Sequence, residues 1–303
     1  GAVGGRRNRP DKKHKNKNRN APVISSPPVS APLPPVENFY TVASQRHFMD
    51  DVAEGLIRRF GDDPLQLSDV TVLVPDDDAL RSLRRAFVEK RSGKMSMLPR
   101  IQVSSDVEED QLALELTQDR VLSEALAHIP PAVTRLHRQI ILAKEVMKTG
   151  MASSPQKALQ LGAELGNMLD QMQRHNIDLK KIDSVVPDAF RAQWAPTAQF
   201  LKILTDTWPA YLETIGRIDP EERKNVVLNI QAIHWQQHPP KTPFVAVGFT
   251  GIMPQTHTLL AAVANMPKGS IVIPGVDQDL DARGWSGLTE THPQFFIREV
   301  LKT

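Results

Sequence analysis

His234 and His238, in the stretch HWQQH, stand four residues apart. On a helix that spacing puts two imidazoles on one face, where they could share a metal ion. A metallopeptidase of this pattern needs a glutamate directly after the first histidine as general base, and Trp235 stands there instead. No third ligand is evident nearby, so a satisfied or exposed histidine pair is expected. The stretch DQDLD (277–281) begins as a calcium loop does, but Ala282 stands where that loop needs glycine and Leu288 where it needs a bidentate glutamate. A solvated turn is the expectation. Asp76, Asp77 and Asp78 follow VLVP and could form a carboxylate cluster for metal-assisted nuclease chemistry. Acids in that place also stabilise the positive end of a helix. No acid-x-lysine partner stands on a neighbouring strand, and no Ser-His-Asp arrangement is legible.

Nucleotide chemistry fares no better. A phosphate loop needs glycines, so that backbone N–H groups can close around phosphate, and a lysine to reach it. The first strand-to-helix connection, Ala43-Ser44-Gln45-Arg46-His47, has neither. SGKMS (92–96) holds a Gly-Lys pair, but Val88 lies five before Gly93, Met95 replaces the hydroxyl, and the segment follows a helix instead of opening one. ATP binding is therefore not expected. With no cysteine in the chain, disulfides, thiolate zinc sites, cysteine-ligated iron–sulfur clusters and cysteine nucleophiles are excluded from these residues.

The elements that would position any such group are written in the hydrophobic pattern. NFYTVA (38–43) reads as a strand, and Phe48, Val52, Leu56 and Phe60 share one face of a following helix, which Gly61 is suited to end in a left-handed cap. DVTVLVP (69–75) reads as a buried strand, Leu80, Leu83 and Phe87 mark the next helix, and MLPRIQV supplies a third strand. This β-α-β-α-β order predicts a parallel sheet with helices on its faces.

From Glu108 to His238 the pattern is helical. Ser154-Pro155 opens one helix, and Asp219-Pro220-Glu221-Glu222 opens another with capping-box spacing. Ala158, Leu161, Leu165, Met168 and Met172 form a stripe suited to a packed bundle, as do Trp194, Leu201, Leu204, Trp208, Leu212 and Ile215, interrupted at Pro196 and Pro209. Strand signals then resume. FVAVGF is apolar without alternation, MPQTHTLLAAVANM is helical, Pro267 and Gly269 end it, and SIVIPG is a further strand.

Four parts follow: a basic, Pro-rich arm (1–37), expected to be disordered; a first α/β part (38–107); a helical insertion (108–240); and a second α/β part (241–303). Net charge is +2, but the first 36 residues carry eight Lys/Arg against one acid, which leaves the body at −5. The arm is read either as a nonspecific nucleic-acid contact or as a solubilising extension. No apolar run reaches the roughly 18–20 residues of a membrane span, so a soluble chain is expected. It lacks an initiating Met and ends inside HPQFFIREVLKT, a helical pattern without a cap, as a piece of a longer protein would.

In their order, VTVLVPDDDALRSLRRAF, MLPRIQVSSDVEED, PAVTRLHRQIILAKEVM, the long LDQMQRHNIDLKKIDSVV segment through IDPEERKN, and VAVGFTGIMPQTHTLLAAVANMPKGSIVIPGVDQDLD carry a family resemblance. From about residue 38 to its end the chain resembles the N-terminal part of the AddB family, the second subunit of AddAB-type helicase-nucleases that process broken bacterial DNA ends, and more distantly RecC. The resemblance implies an α/β fold: a degenerate superfamily-1 helicase-like, P-loop NTPase-like parallel sheet with a large all-helical insertion. It puts Gly248, Phe249 and Thr250 where an active helicase carries Asp-Glu for magnesium and water, so the loop would be a relic without ATPase chemistry. Some family members keep a phosphate loop in the first β-α turn; this chain departs from them there.

Family members also use the loops after VLVP and around RIQV along the single-strand path to help recognise a regulatory sequence. Here Asp77, Asp78, Asp106 and Glu108 would repel phosphate, so that role is not carried over. The nearest phosphate contacts would be Arg81, Arg84, Arg85 and Arg100, with Thr250 and Gln255 beside the degenerate motif; ordinary surface arginines are the alternative. The family's iron–sulfur cluster and magnesium belong to a nuclease domain in its C-terminal half, so no cofactor is expected in this segment. The implied role is noncatalytic DNA handling and assembly in double-strand break repair by homologous recombination. It would be cytoplasmic, without membrane contact, and partnered by DNA (single strands or broken duplex ends) and an AddA-type helicase-nuclease subunit. Two rivals stay open: a nucleotide hydrolase with an unusual phosphate loop, and a helical protein-interaction scaffold without DNA contact.

Overall fold

The computed structural model describes residues 39–42, 47–61, 63–91, 97–105, 107–178, 198–250, 253–275 and 287. The basic arm, residues 43–46, SGKMS, Asp106, Trp194, Pro196, DQDLD and the C-terminal HPQFFIREVLKT lie outside them. Strands β1 (Phe39–Val42), β2 (Thr71–Val74), β3 (Arg100–Val103), β4 (Phe244–Val247) and β5 (Gly269–Pro274) form one five-stranded sheet in the order β1-β5-β4-β2-β3. Every neighbouring pair is parallel, and the register sets Val72 against Val245 and Ala246 against Ile271. The inner strands β2 and β4 are buried on both sides because both faces are covered. Val72, Val74, Val245 and Val247 face one layer, made by α1 (Phe48–Phe60), the short α2 (Pro64–Ser68) and α3 (Asp77–Lys90). Leu73, Phe244, Ala246 and Ile271 face the other, made by α9 (Pro220–Gln237) and α10 (Pro254–Ala264). Phe87, fully buried beneath α3, contributes about 1.5–3 kcal/mol to this core.

The helical insertion enters between β3 and β4, yet β4 pairs directly with β2, so the sheet closes across it. It comprises α4 (Glu109–Glu115) with a 3₁₀ turn (Leu116–Gln118), α5 (Arg120–Ala127), α6 (Arg135–Lys148), α7 (Pro155–Arg174), α8 (Trp208–Ile215) and α9. Two cores hold it. Leu142, Val146, Ala158, Leu165, Leu204, Trp208 and Leu212 pack α6, α7 and α8 together, as the apolar stripes predict. Leu112, Leu116, Leu122, Val227 and Ile230 pack α4 and α5 onto α9. Ahead of α8 the chain is a π-helix at Ile203–Thr207. Pro209 has no N–H to bond back into the preceding turn, and the wider helix is the local accommodation.

Two local expectations are overturned. Gly61 ends α1 at φ −93°, ψ −1°, a right-handed cap open to any residue. Space is what excludes a side chain there, since a Cβ would collide with the carbonyl of Ile57 and lie 2.6 Å from the Arg91 guanidinium. Asp219 sits at the N-cap of α9 but makes no side-chain cap bond. Its carboxylate is drawn inward by stronger donors, described below. The helix α10 also closes earlier than expected, at Asn265, and Gly269 begins β5.

Candidate functional site

In an open parallel sheet the carboxyl ends of the strands are the usual place for a ligand. Among the described residues, that edge carries acids and apolar groups. The first turn of α1 carries Asp50 and Asp51, and the His47 ring lies 3.3 Å from the Asp50 carboxylate. Negative charge at a helix N-terminus opposes an incoming phosphate. At the end of β4, Gly248 adopts φ +80°, and a Cβ there would meet Met49 at 3.2 Å and Phe48 at 3.5 Å. Phe249 is 2 % exposed and belongs to the sheet core, while Thr250 is exposed. Gly248, Phe249 and Thr250, the described residues that follow β4, bear no carboxylate to hold a cation. After β2, the Asp76 carboxylate accepts the Ala79 N–H at 2.8 Å as a helix cap, and Asp77 and Asp78 occupy the first turn of α3. The described residues contain no group of three or more His, Cys, Asp or Glu placed to hold a metal.

The basic candidates separate. Arg81 and Arg85 lie exposed on α3, paired with Asp78 and Glu89. Arg84, also on α3, has no acidic partner among the described residues. Arg100 opens β3 and donates to Gln111. Gln255, in the first turn of α10, donates to the Gln173 carbonyl at 3.5 Å, where the helical insertion meets the sheet's helix layer. Arg84 and Arg100 alone among these residues come together, in a groove of about 600 Å³.

This groove runs along β3, between the sheet and helices α4 and α9. Arg100 to Ser104 line it, with Asp77 and Arg84 from α3, Glu108, Gln111 and Glu115 from the α4 segment, and Gln231, His234, Trp235 and His238 from α9. Arg223 on α9 grips the Glu109 carboxylate on α4 with both guanidinium nitrogens, the second bond 2.9 Å long, which fixes the two helices that form the far wall. Gln111 passes from Arg100 to the Glu115 carboxylate, which it reaches at 2.9 Å, and Glu115 lies 3.9 Å from the His234 ring. Desolvation by burial holds His234 below its ordinary pKa, against the pull of Glu115, so neutral imidazole is favoured. The pair expected to be satisfied or exposed is therefore split: the His234 and His238 rings stack 5.5 Å apart, but His234 is buried and its Nδ1 has no partner. Gln231 Nε2 is likewise buried and unpartnered.

A second polar cluster is sealed within the helical part. Arg138 on α6 donates to both oxygens of Asp170 on α7, at 2.7 and 2.9 Å, and to Asp219 at 3.2 Å. Asp219 also accepts from Gln173 Nε2 and from Trp208 Nε1, each at 3.0 Å. These donors are what take Asp219 away from its cap. Burial works against the Arg138 charge, but the two carboxylates more than offset it and raise its pKa. Gly166 makes the room, since a Cβ there would sit 3.2 Å from Arg138 Nε. Arg138, Asp170 and Asp219 pair with one another in the interior, with Gln173 Oε1 buried beside them without a partner, an arrangement that fixes helix register.

Sequence reasoning did not find Gln231, Gln111 or the Arg138 cluster. The available signal was a polar residue on an otherwise apolar helix face: Gln231 beside Ile230, Arg138 beside Leu142, Asp170 beside Leu169. Neither the known protein-family models nor the curated proteins include a match to this chain.

Proposed function

We propose that this chain is a noncatalytic DNA-handling and assembly portion of a helicase-nuclease subunit acting on broken DNA ends. The observation that carries the reading is the end of β4. The position where an active helicase-like sheet would need Asp-Glu has a left-handed Gly248 and a core Phe249, so neither a magnesium ligand nor a base for the attacking water is available. The acid-bearing start of α1 supports the same conclusion. Binding, with hydrolysis supplied by a partner subunit, is what remains for the fold. The exposed Arg81 and Arg85 on α3, with Thr250 after β4, are the proposed phosphate contacts, while Arg84 and Arg100 share the groove beside β3 with Asp77, Glu108 and Glu115.

The test is single-stranded and forked DNA binding across a salt series, with the AddA-type subunit present and absent, using the whole chain and a version without residues 1–36. The second residue set matches the compact unit Pro35–Thr303. Partner-dependent binding that weakens with salt supports the reading. ATP hydrolysis by the isolated chain, or no DNA binding in either state alongside tight partner association, refutes it.

A further inference from the structure

The groove beside β3 leaves the outer edge of that strand unpaired among the described residues. That strand is an edge of the sheet. Its parallel ladder to β2 runs from Arg100 opposite Thr71 to Val103 opposite Val74, and its bonds include the N–H of Arg100, donated to Val70, and that of Ser104, donated to Val74. A parallel strand alternates its bonding sides, so the N–H and C=O groups of Ile101 and Val103 point away from β2. No described residue pairs with them. On the facing helix α9, Gln231 is 7 % and His234 9 % exposed; both residues line the groove, and behind that wall Gln231 Nε2 and His234 Nδ1 are buried without partners. Buried polar groups left open cost stability unless something fills their bonds.

We propose that this groove binds an extended polypeptide segment of another protein, which joins the outer edge of β3 as a sixth strand. Ile101 and Val103 present donor and acceptor pairs two residues apart, about 6.6 Å along a strand, and a polypeptide backbone repeats at that interval. Alternate side chains of the added strand would face α9, meeting the wall that Gln231, His234 and His238 form. Charge favours polypeptide over nucleic acid. Arg84 and Arg100 are opposed on the same walls by Asp77, Glu108 and Glu115, a mixture that repels a polyanion and suits a chain of both signs. This proposal goes beyond the DNA reading and stands without it.

Proline at Val103 removes the outward N–H but none of the bonds to β2, so Val103→Pro blocks strand addition while leaving the sheet's own ladder. Val103→Ala keeps the N–H. Random decapeptides displayed on phage are selected on the whole chain, and the enriched peptide is labelled and titrated by fluorescence anisotropy. Binding in the micromolar range is expected, weakened about tenfold or more by Val103→Pro and less than about threefold by Val103→Ala. Independently of how Val103→Pro folds, peptide should slow hydrogen exchange at the Ile101 and Val103 amides of the unsubstituted chain by about tenfold or more. Failure to enrich any peptide, or equal binding by both variants, overturns the proposal. So does protection of these two amides without peptide: by the free monomer, by self-association as concentration rises, or by an oligothymidylate.

Discussion

Replacing Arg138 by methionine tests whether the sealed cluster holds the helical part together. Its side chain is 4 % exposed, and those of Asp170 and Asp219 are 8 % and 2 % exposed, so the variant strands two carboxylates away from water. Breaking a buried ion pair from one side costs about 3–5 kcal/mol, a large share of the roughly 5–15 kcal/mol that holds a domain folded. The folded-to-unfolded ratio should fall by roughly two to four powers of ten. In urea, with a slope of about 2–3 kcal/mol per molar, the midpoint should drop by about 1–2 M. Circular-dichroism urea titrations measure the shift, and a variant within about 1 kcal/mol of the parent would refute the account of this cluster.

Gly61→Ala should lower the urea midpoint by an amount equivalent to about 1–3 kcal/mol, because the methyl group meets the Ile57 carbonyl and Arg91 even though the backbone angles are ordinary. Gly248→Asp should release no phosphate from ATP above background and should lose about 1–3 kcal/mol of stability, since φ +80° is strained for any side chain and Met49 and Phe48 occupy the space. His234 has a folded pKa below its unfolded value of about 6.5, so the unfolded state binds more protons as pH falls. Its contribution is complete above about pH 6.5 and declines below it, and thermal melts should show His234→Leu losing less stability than the parent between about pH 7 and pH 5.

The described strands and the starts of α3, α7 and α9 were legible in the sequence. Strands covered on both faces must be apolar throughout, as FVAV and TVLV are, and helices packed on one side must show a stripe, as Leu83 and Phe87 do. That Gly248 and Phe249 bear no carboxylate is a fact of sequence, whatever their conformation. Gly61 and Asp219 were misread for one shared reason: local pattern records what a residue can do with its own neighbours in the chain. Asp219 can cap α9, but Arg138, Gln173 and Trp208, brought in from three other helices, offer its carboxylate better bonds. The groove was hidden in the same way. Arg100, Gln231 and His234 share a wall only because β3 ends the sheet and α9 returns beside it after the whole insertion. Sequence alone determined which segments are buried and what chemistry they lack; the tertiary structure decided which polar groups meet, because that depends on contacts between residues far apart along the chain.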